Sequence, residues 1–235
     1  MSKFMKLLLT LIFILIIEII IIYIGYSKKA IFKTYGIENY NPKKGIVIMV
    51  NLPDNTLSIF QEDNLLKTYE VSSGKPSTPS PTGIWKIVSK GPWDKGFGGY
   101  WMGLNAPWGK FGIHGTTHPE SIGTSTSQGC IRMRNNEVSK LYKIAHIGTP
   151  VIIWGGPYGN FGSYLRTLRP GDRGADVYEV QRILIYRGYY SSNPDGIYGE
   201  AMKAAIHRYQ KDSDLPLSND IDIRVYDALG VYLVD

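Results

Sequence analysis

The 235-residue chain contains one cysteine, Cys130, set in the stretch Gly112 to Met133 that reads GIHGTTHPESIGTSTSQGCIRM, with His114 sixteen positions upstream. A thiol with a free pKa of about 8.5 becomes an effective nucleophile when an imidazole can take its proton. His114 ends the strand-like run GIH where it meets the turn GTT, a rigid mount facing a loop. Gly129 precedes the cysteine, and a residue without a side chain lets backbone amides approach a reacting group and form an oxyanion hole. Taken alone, these residues also allow a plainer reading, in which Cys130 is a small buried hydrophobe. His118, His146 and His207 read as surface residues, His146 near the end of an expected helix where a cation suits the helix dipole. His114 and His118 have the spacing of a zinc-binding helix. Gly115, two threonines and Pro119 oppose a helix there, and no glutamate follows the first histidine, so no metal site is expected.

The elements that would carry these residues are short. GIVIMVNL, TLSIF and LLKTYEVSSG are β-branched and apolar runs separated by the polar turns PDN and QEDN, the pattern of a β meander. KPSTPSPTGIW and KGPWDKGFGGYW are too punctuated by Pro, Ser, Thr and Gly for a helix. From Asn135 to Ala145, NNEVSKLYKIA places Val138, Leu141 and Ile144 or Ala145 on one helical face, and TPVIIW closes as a strand. A mainly β catalytic-type domain is therefore expected over residues 45–154, followed by a linker at 155–165. Residues 166–235 read as a compact three-helix module, because Val177, Val180 and Leu184, then Ile206 with Tyr209, then Val225 with Leu229 recur at helical spacing around the turn NPDG. The expected fold class is α+β.

Residues 1–44 read as a signal anchor and linker. Leu7 to Ile24 holds fifteen Leu, Ile or Phe side chains, which at roughly −0.3 to −0.6 kcal/mol each outweigh a cost of about 3 kcal/mol for Glu18. The run is long enough to span a bilayer and ends in GYSKKA, unlike a signal-peptidase site, so an uncleaved transmembrane helix is expected over residues 7–24. Of the net charge of +6, +5 lies in residues 1–44, which suits anionic lipid. The near-neutral remainder lacks the clustered basic surface that nucleic-acid binding requires. Lysines flank the apolar run on both sides, so charge alone does not orient it. With 43% hydrophobic and 20% charged residues, the chain can bury two modest cores.

At this point the motifs carry a family resemblance. The stretch from His114 to Met133 resembles the signature of the YkuD-type L,D-transpeptidases, in which His-Gly is followed at this distance by Ser-x-Gly-Cys-Ile/Val-Arg-Met/Leu. VSSGKPSTPSPTGIWKI resembles that family's Gly-Lys-x-x-Thr-Pro-x-Pro-x-Gly segment, and GGYWMGLNAPWGKFGIHG its substrate-side aromatic and glycine run. The likeness covers most of residues 45–154 and implies a YkuD-like β-sandwich. LRPGDRGADVYEVQRILIYRGYY with NPDGIYGEAMKAAIHRYQKDSDLPL is similar to the three-helix peptidoglycan-binding domain. Met202 and Val225 stand where that domain often has threonine, and Asn219-Asp220 where Asp-Gly is common.

The resemblance implies that His114, oriented by the backbone carbonyl of Gly115, deprotonates Cys130. The thiolate would then attack the third residue, a diamino acid, of a peptidoglycan tetrapeptide stem and expel the terminal D-Ala. The side-chain amine of a second stem would resolve the thioester into a cross-link between third residues, with amides near Gly129 and Cys130 stabilising the oxyanion. Arg132 would contact a stem carboxylate, Ser127 would hydrogen-bond around the site, and Tyr100 and Trp101 would wall the groove. No cofactor is implied. Both folded domains would face the cell wall outside the membrane, held to glycan through residues 166–235 and to the bilayer through the N-terminal helix, which raises the local substrate concentration. Three readings follow: cross-linking by acyl transfer to an amine, hydrolysis of the same acyl-enzyme as an L,D-carboxypeptidase, and a non-catalytic wall-binding protein.

Overall fold

A computed structural model of the chain describes residues 45–93 and 98–232. The expected membrane helix and the rest of residues 1–44 lie outside them. Among the described residues no helix is long and apolar enough to cross a membrane.

The meander forms as β1 (Ile46–Asn51), β2 (Thr56–Gln61) and β3 (Asn64–Glu70), paired antiparallel in sequence order. Side chains alternate across a strand, so β1 turns Ile46, Ile48 and Val50 into the core. The chain continues through β4 (Ser73–Gly74), β5 (Gly83–Pro92), β6 (Tyr100–Leu104), β7 (Gly112–Gly115), β8 (Ser125–Ser127), β9 (Ile131–Met133) and β10 (Pro150–Trp154). Eight strands make one ladder in the order β3-β2-β1-β10-β5-β6-β7-β9, while β4 and β8 form a small parallel pair. The long β5 joins the two halves. Its first residues pair with β10 and its last with β6, across a register shift between Ile87 and Ser89 of the kind that bends a strand. Both halves close over one core, in which Ile48, Leu57 and Ile59 meet Met102, Ile113, Ile131 and Met133.

The helix expected over Asn135 to Ala145 is α1 (Asn135–Ile144), packed on β6 and β7 through Val138 and Leu141, each wholly buried. Such burial is worth roughly 1.5–3 kcal/mol per side chain. Ala145, at the end of α1, is buried and Ile144 exposed.

The C-terminal region is helical: α2 (Ala175–Tyr186), α3 (Glu200–Asp212) and α4 (Ile223–Ala228), the last capped by Asp222, whose carboxylate accepts from the amides of Arg224 and Val225. Val177, Val180, Leu184, Ile206, Tyr209, Val225 and Leu229 share a second core. Met202 and Val225, the departures from threonine, are core residues here. Gln181 is wholly buried and clamps the Asp195-Gly196 turn: its amide nitrogen donates to Asp195 Oδ1 (2.8 Å) and the Ile197 carbonyl (3.0 Å), and its oxygen accepts from the Asp195 and Gly196 amides (3.0 and 2.8 Å). Gly196 has φ +68°, and a Cβ there would collide with the Trp108 ring. Trp108 in turn packs with Trp85 and Tyr178 (ring centroids 5.3 and 5.6 Å), so α2 is seated on the β region through an aromatic trio. The described residues fall within one compact unit.

Candidate active site

β7 and β9 run parallel, with Ile113 beside Ile131 and His114 beside Arg132. Ile113, Ile131 and Met133 go to the core, so the alternation of each strand leaves His114 and Arg132 on the opposite face, with Cys130 immediately before β9. β6 adds Trp101, the register partner of His114, whose indole stacks on the imidazole at 5.8 Å and 29°. The indole has room because the neighbouring register pair is Gly103 and Gly112, and a Cβ on either would meet its ring. The same alternation separates Tyr100 from Trp101. Tyr100 was expected to wall the groove, but it lies on the core face, against Tyr142 of α1 (4.9 Å).

The His114 ring is buried, and its Nδ1 lies 2.6 Å from the Gly115 carbonyl. A carbonyl only accepts, so Nδ1 carries a proton and Nε2 is the basic nitrogen of the neutral ring. The turn after His114 is tied down by Asn135, whose side-chain oxygen accepts from the Thr116 amide at 2.8 Å. Burial lowers the His114 pKa from its ordinary value; the Gly115 hydrogen bond opposes this and Arg132 reinforces it. Cys130 is half-buried, its Sγ 3.9 Å from the Lys110 carbonyl. Burial pushes its thiol up, against the Gly112 amide, Arg132 and Lys110. Both shifts favour uncharged forms, a neutral thiol and a neutral imidazole. Alkylation of Cys130 by iodoacetamide is therefore expected to keep rising with pH beyond the ordinary thiol pKa of about 8.5; a plateau at or below neutrality would reveal a preformed thiolate instead.

Ser127 and Gly129, both expected at the substrate, are tied into the loop that carries Cys130. Ser127 is wholly buried, its hydroxyl donating to the Cys130 carbonyl (2.6 Å) and accepting from the Gly129 amide (3.0 Å). Its own carbonyl accepts from the Lys75 amide (3.1 Å) and the Thr78 hydroxyl (3.2 Å), so the segment SSGKPST clamps the cysteine loop from behind. The Gly129 amide is thus already engaged. The glycine itself is required by φ +106° and by Phe111, which a Cβ would strike. Ser127→Ala would strand a buried amide and a buried carbonyl, at about 1–3 kcal/mol for each group left unsatisfied. Its thermal unfolding midpoint should fall together with turnover, and an unchanged midpoint would reject the clamp.

Arg132 is held by backbone bonds to Ser72 in both directions (2.8 Å each), and its guanidinium forms no ion pair among the described residues. Lys110 stands on the same side, its ammonium 4.6 Å above the Trp93 ring. Lys110, Phe111, Thr78 and Asn135 were not singled out by sequence reasoning, although the first three lie inside segments that carried the resemblance. His118 and His146 are exposed, and His207 is half-buried with Nε2 2.9 Å from the Asn219 side chain. Neither Asn219 nor Asp220 has a positive φ, so this turn needs no glycine.

Comparison with known proteins identifies the family. The family model for the L,D-transpeptidase catalytic domain matches residues 45–153, and that for a peptidoglycan binding domain matches residues 173–229. The protein named L,D-transpeptidase YkuD from Bacillus licheniformis is 44% identical over 107 residues, covering 45% of this chain and 64% of that protein. The one named YqjB from Bacillus subtilis is 33% identical over 122 residues, covering 45% of this chain and 69% of that protein. The chain thus spans less than two thirds of the length of the B. licheniformis relative. Among solved structures, the L,D-transpeptidase from Stackebrandtia nassauensis is similar with 27% identity and a TM-score of 0.42, over 48% of this chain and 57% of that one. The catalytic-domain model spans every strand from β1 to β9 and most of β10, including both His114 and Cys130, and the chain belongs to the L,D-transpeptidase family of YkuD type.

Proposed function

We propose that the protein cross-links peptidoglycan stems through a thioester on Cys130. The observation that carries this reading is the parallel pairing of β7 with β9, which sets His114 beside Arg132, two residues along from the half-buried Cys130, with the imidazole Nδ1 committed to the Gly115 carbonyl. His114 Nε2 takes the thiol proton as Sγ attacks the carbonyl of the third, diamino residue of a tetrapeptide stem. The Cys130 amide stabilises the oxyanion, since the Gly129 amide is held by Ser127. The tetrahedral intermediate collapses by breaking the bond to D-Ala, whose amine receives the proton from His114. The side-chain amine of a second stem then attacks the thioester carbonyl, loses its proton to Nε2, and leaves with the acyl group as the thiol re-forms. Arg132 suits a bidentate contact with a stem carboxylate.

The C-terminal domain would hold the glycan, and this substrate class puts both domains on the wall side of the membrane, anchored through the apolar run from Leu7 to Ile24. The test is mass spectrometry of the products formed by the full chain from disaccharide-tetrapeptides. A dimer lighter by one D-Ala is the expected product. Tripeptide monomer alone would make water the acceptor, and unchanged substrate would reject both acyl-transfer readings.

A further inference from the structure

A cleft of about 470 Å³ lies where the loop between β6 and β7 meets the C-terminal domain, and residues of both line it. That size is ordinary for a small-ligand site. Trp101, Trp108 and Phe111 supply aromatic surface, Lys110 and Arg173 supply two cations, and among the described residues no acidic one lines it. Neither cation is in an ion pair among the described residues.

The cleft adjoins the catalytic pair. Trp101 is both its wall and the stacking partner of His114, and Lys110 contributes a side chain to it and a carbonyl 3.9 Å from the Cys130 sulfur. The C-terminal wall is fixed in place. Arg173 and Ile197 pair as an isolated backbone bridge, the Gly174 amide donates to the Gly196 carbonyl at 2.9 Å, and Gln181 clamps the Asp195-Gly196 turn from behind. Seating Gly196 against Trp108 carries Ile197 and Arg173 to the rim of the catalytic domain.

We propose that this cleft binds the free carboxylate of a peptide stem, with Arg173 of the C-terminal domain as its anchor, so that this domain forms part of the substrate site as well as a tether. Guanidinium matches carboxylate geometry in two parallel hydrogen bonds, and the aromatic walls suit the short apolar side chains of a peptide. The proposal rests on the cross-linking reading for the identity of the peptide. Its carboxylate could belong to the donor or to the acceptor stem.

The test compares the wild-type full chain with Arg173→Ala and Arg173→Lys. The side chain of Arg173 is exposed and forms none of the hydrogen bonds that hold the turn, so both variants should fold. Binding is followed by tryptophan fluorescence, titrating with a tetrapeptide stem and with its C-terminal amide. Arg173→Ala is expected to bind the free acid about five- to tenfold more weakly, Arg173→Lys to recover part of the loss, and the amide to bind all three proteins equally weakly. Arg173→Ala binding the acid as wild type does, or the amide binding as well as the acid, would overturn the proposal. D-Ala release is measured in parallel. Normal release by a variant with unaltered stem affinity removes the cleft and leaves the cross-linking reading intact. Arg173-dependent binding without release by wild type does the reverse. A higher half-saturating donor concentration for thioester formation assigns the carboxylate to the donor; a lower ratio of cross-linked to hydrolysed product at fixed acceptor concentration assigns it to the acceptor.

Discussion

Cys130→Ala abolishes D-Ala release and the covalent stem adduct, a loss expected to exceed about 10⁴-fold because the nucleophile has no substitute among the described residues of the site. The thiol contributes little to the fold. Its contacts are a long one to the Lys110 carbonyl and the Gly112 amide, and the loop around it is held by Ser127, which the substitution leaves in place. The variant should therefore unfold at the wild-type temperature while intact-mass spectrometry finds no adduct. A cross-linked dimer formed by this variant would remove Cys130 from the mechanism, and with it the chemistry proposed here.

The second large effect is expected at His114. Glutamine can still donate to the Gly115 carbonyl but offers no base, so His114→Gln should slow turnover by about 10²–10⁴-fold, the usual contribution of general acid–base catalysis. The pH profile provides an independent check. Only the neutral ring can accept the thiol proton, and burial holds the His114 pKa below its ordinary value of 6.5. Activity should therefore persist as the pH falls through 6.5 and disappear only as it passes through the lower pKa of the folded protein. The same displacement acts on stability. The unfolded chain binds a proton that the folded one refuses, so the stabilisation is fully present above 6.5 and is lost on acidification through the folded pKa. An acid limb centred above 6.5 would contradict the buried, neutral imidazole.

Much of this architecture was legible locally. The strands of the meander, the amphipathic α1 and the three C-terminal helices appeared where alternation or helical spacing of apolar residues put them, because each period reflects one buried face. The pairing of His114 with Cys130 was suggested by residue types within one stretch of chain. The glycines also had a local signature, but their reasons are tertiary: Gly112 accommodates the Trp101 indole, Gly129 avoids Phe111, and Gly196 receives Trp108.

Long-range pairing decided the rest. Nothing in TPVIIW indicates that β10 inserts between β1 and β5, since that choice depends on contacts a hundred residues away. Tyr100 and Trp101 are adjacent in sequence and look equivalent there. Only the register with His114 sends one to the core and the other onto the imidazole, because a pleated strand turns successive side chains to opposite faces. Ser127 read as a substrate contact until its burial showed a hydroxyl already spent on Gly129 and Cys130. Local periodicity tells which residues must leave water. Which surfaces they leave it against, and so whether Arg173 stands beside the catalytic cleft or far from it, is settled only when the two cores pack.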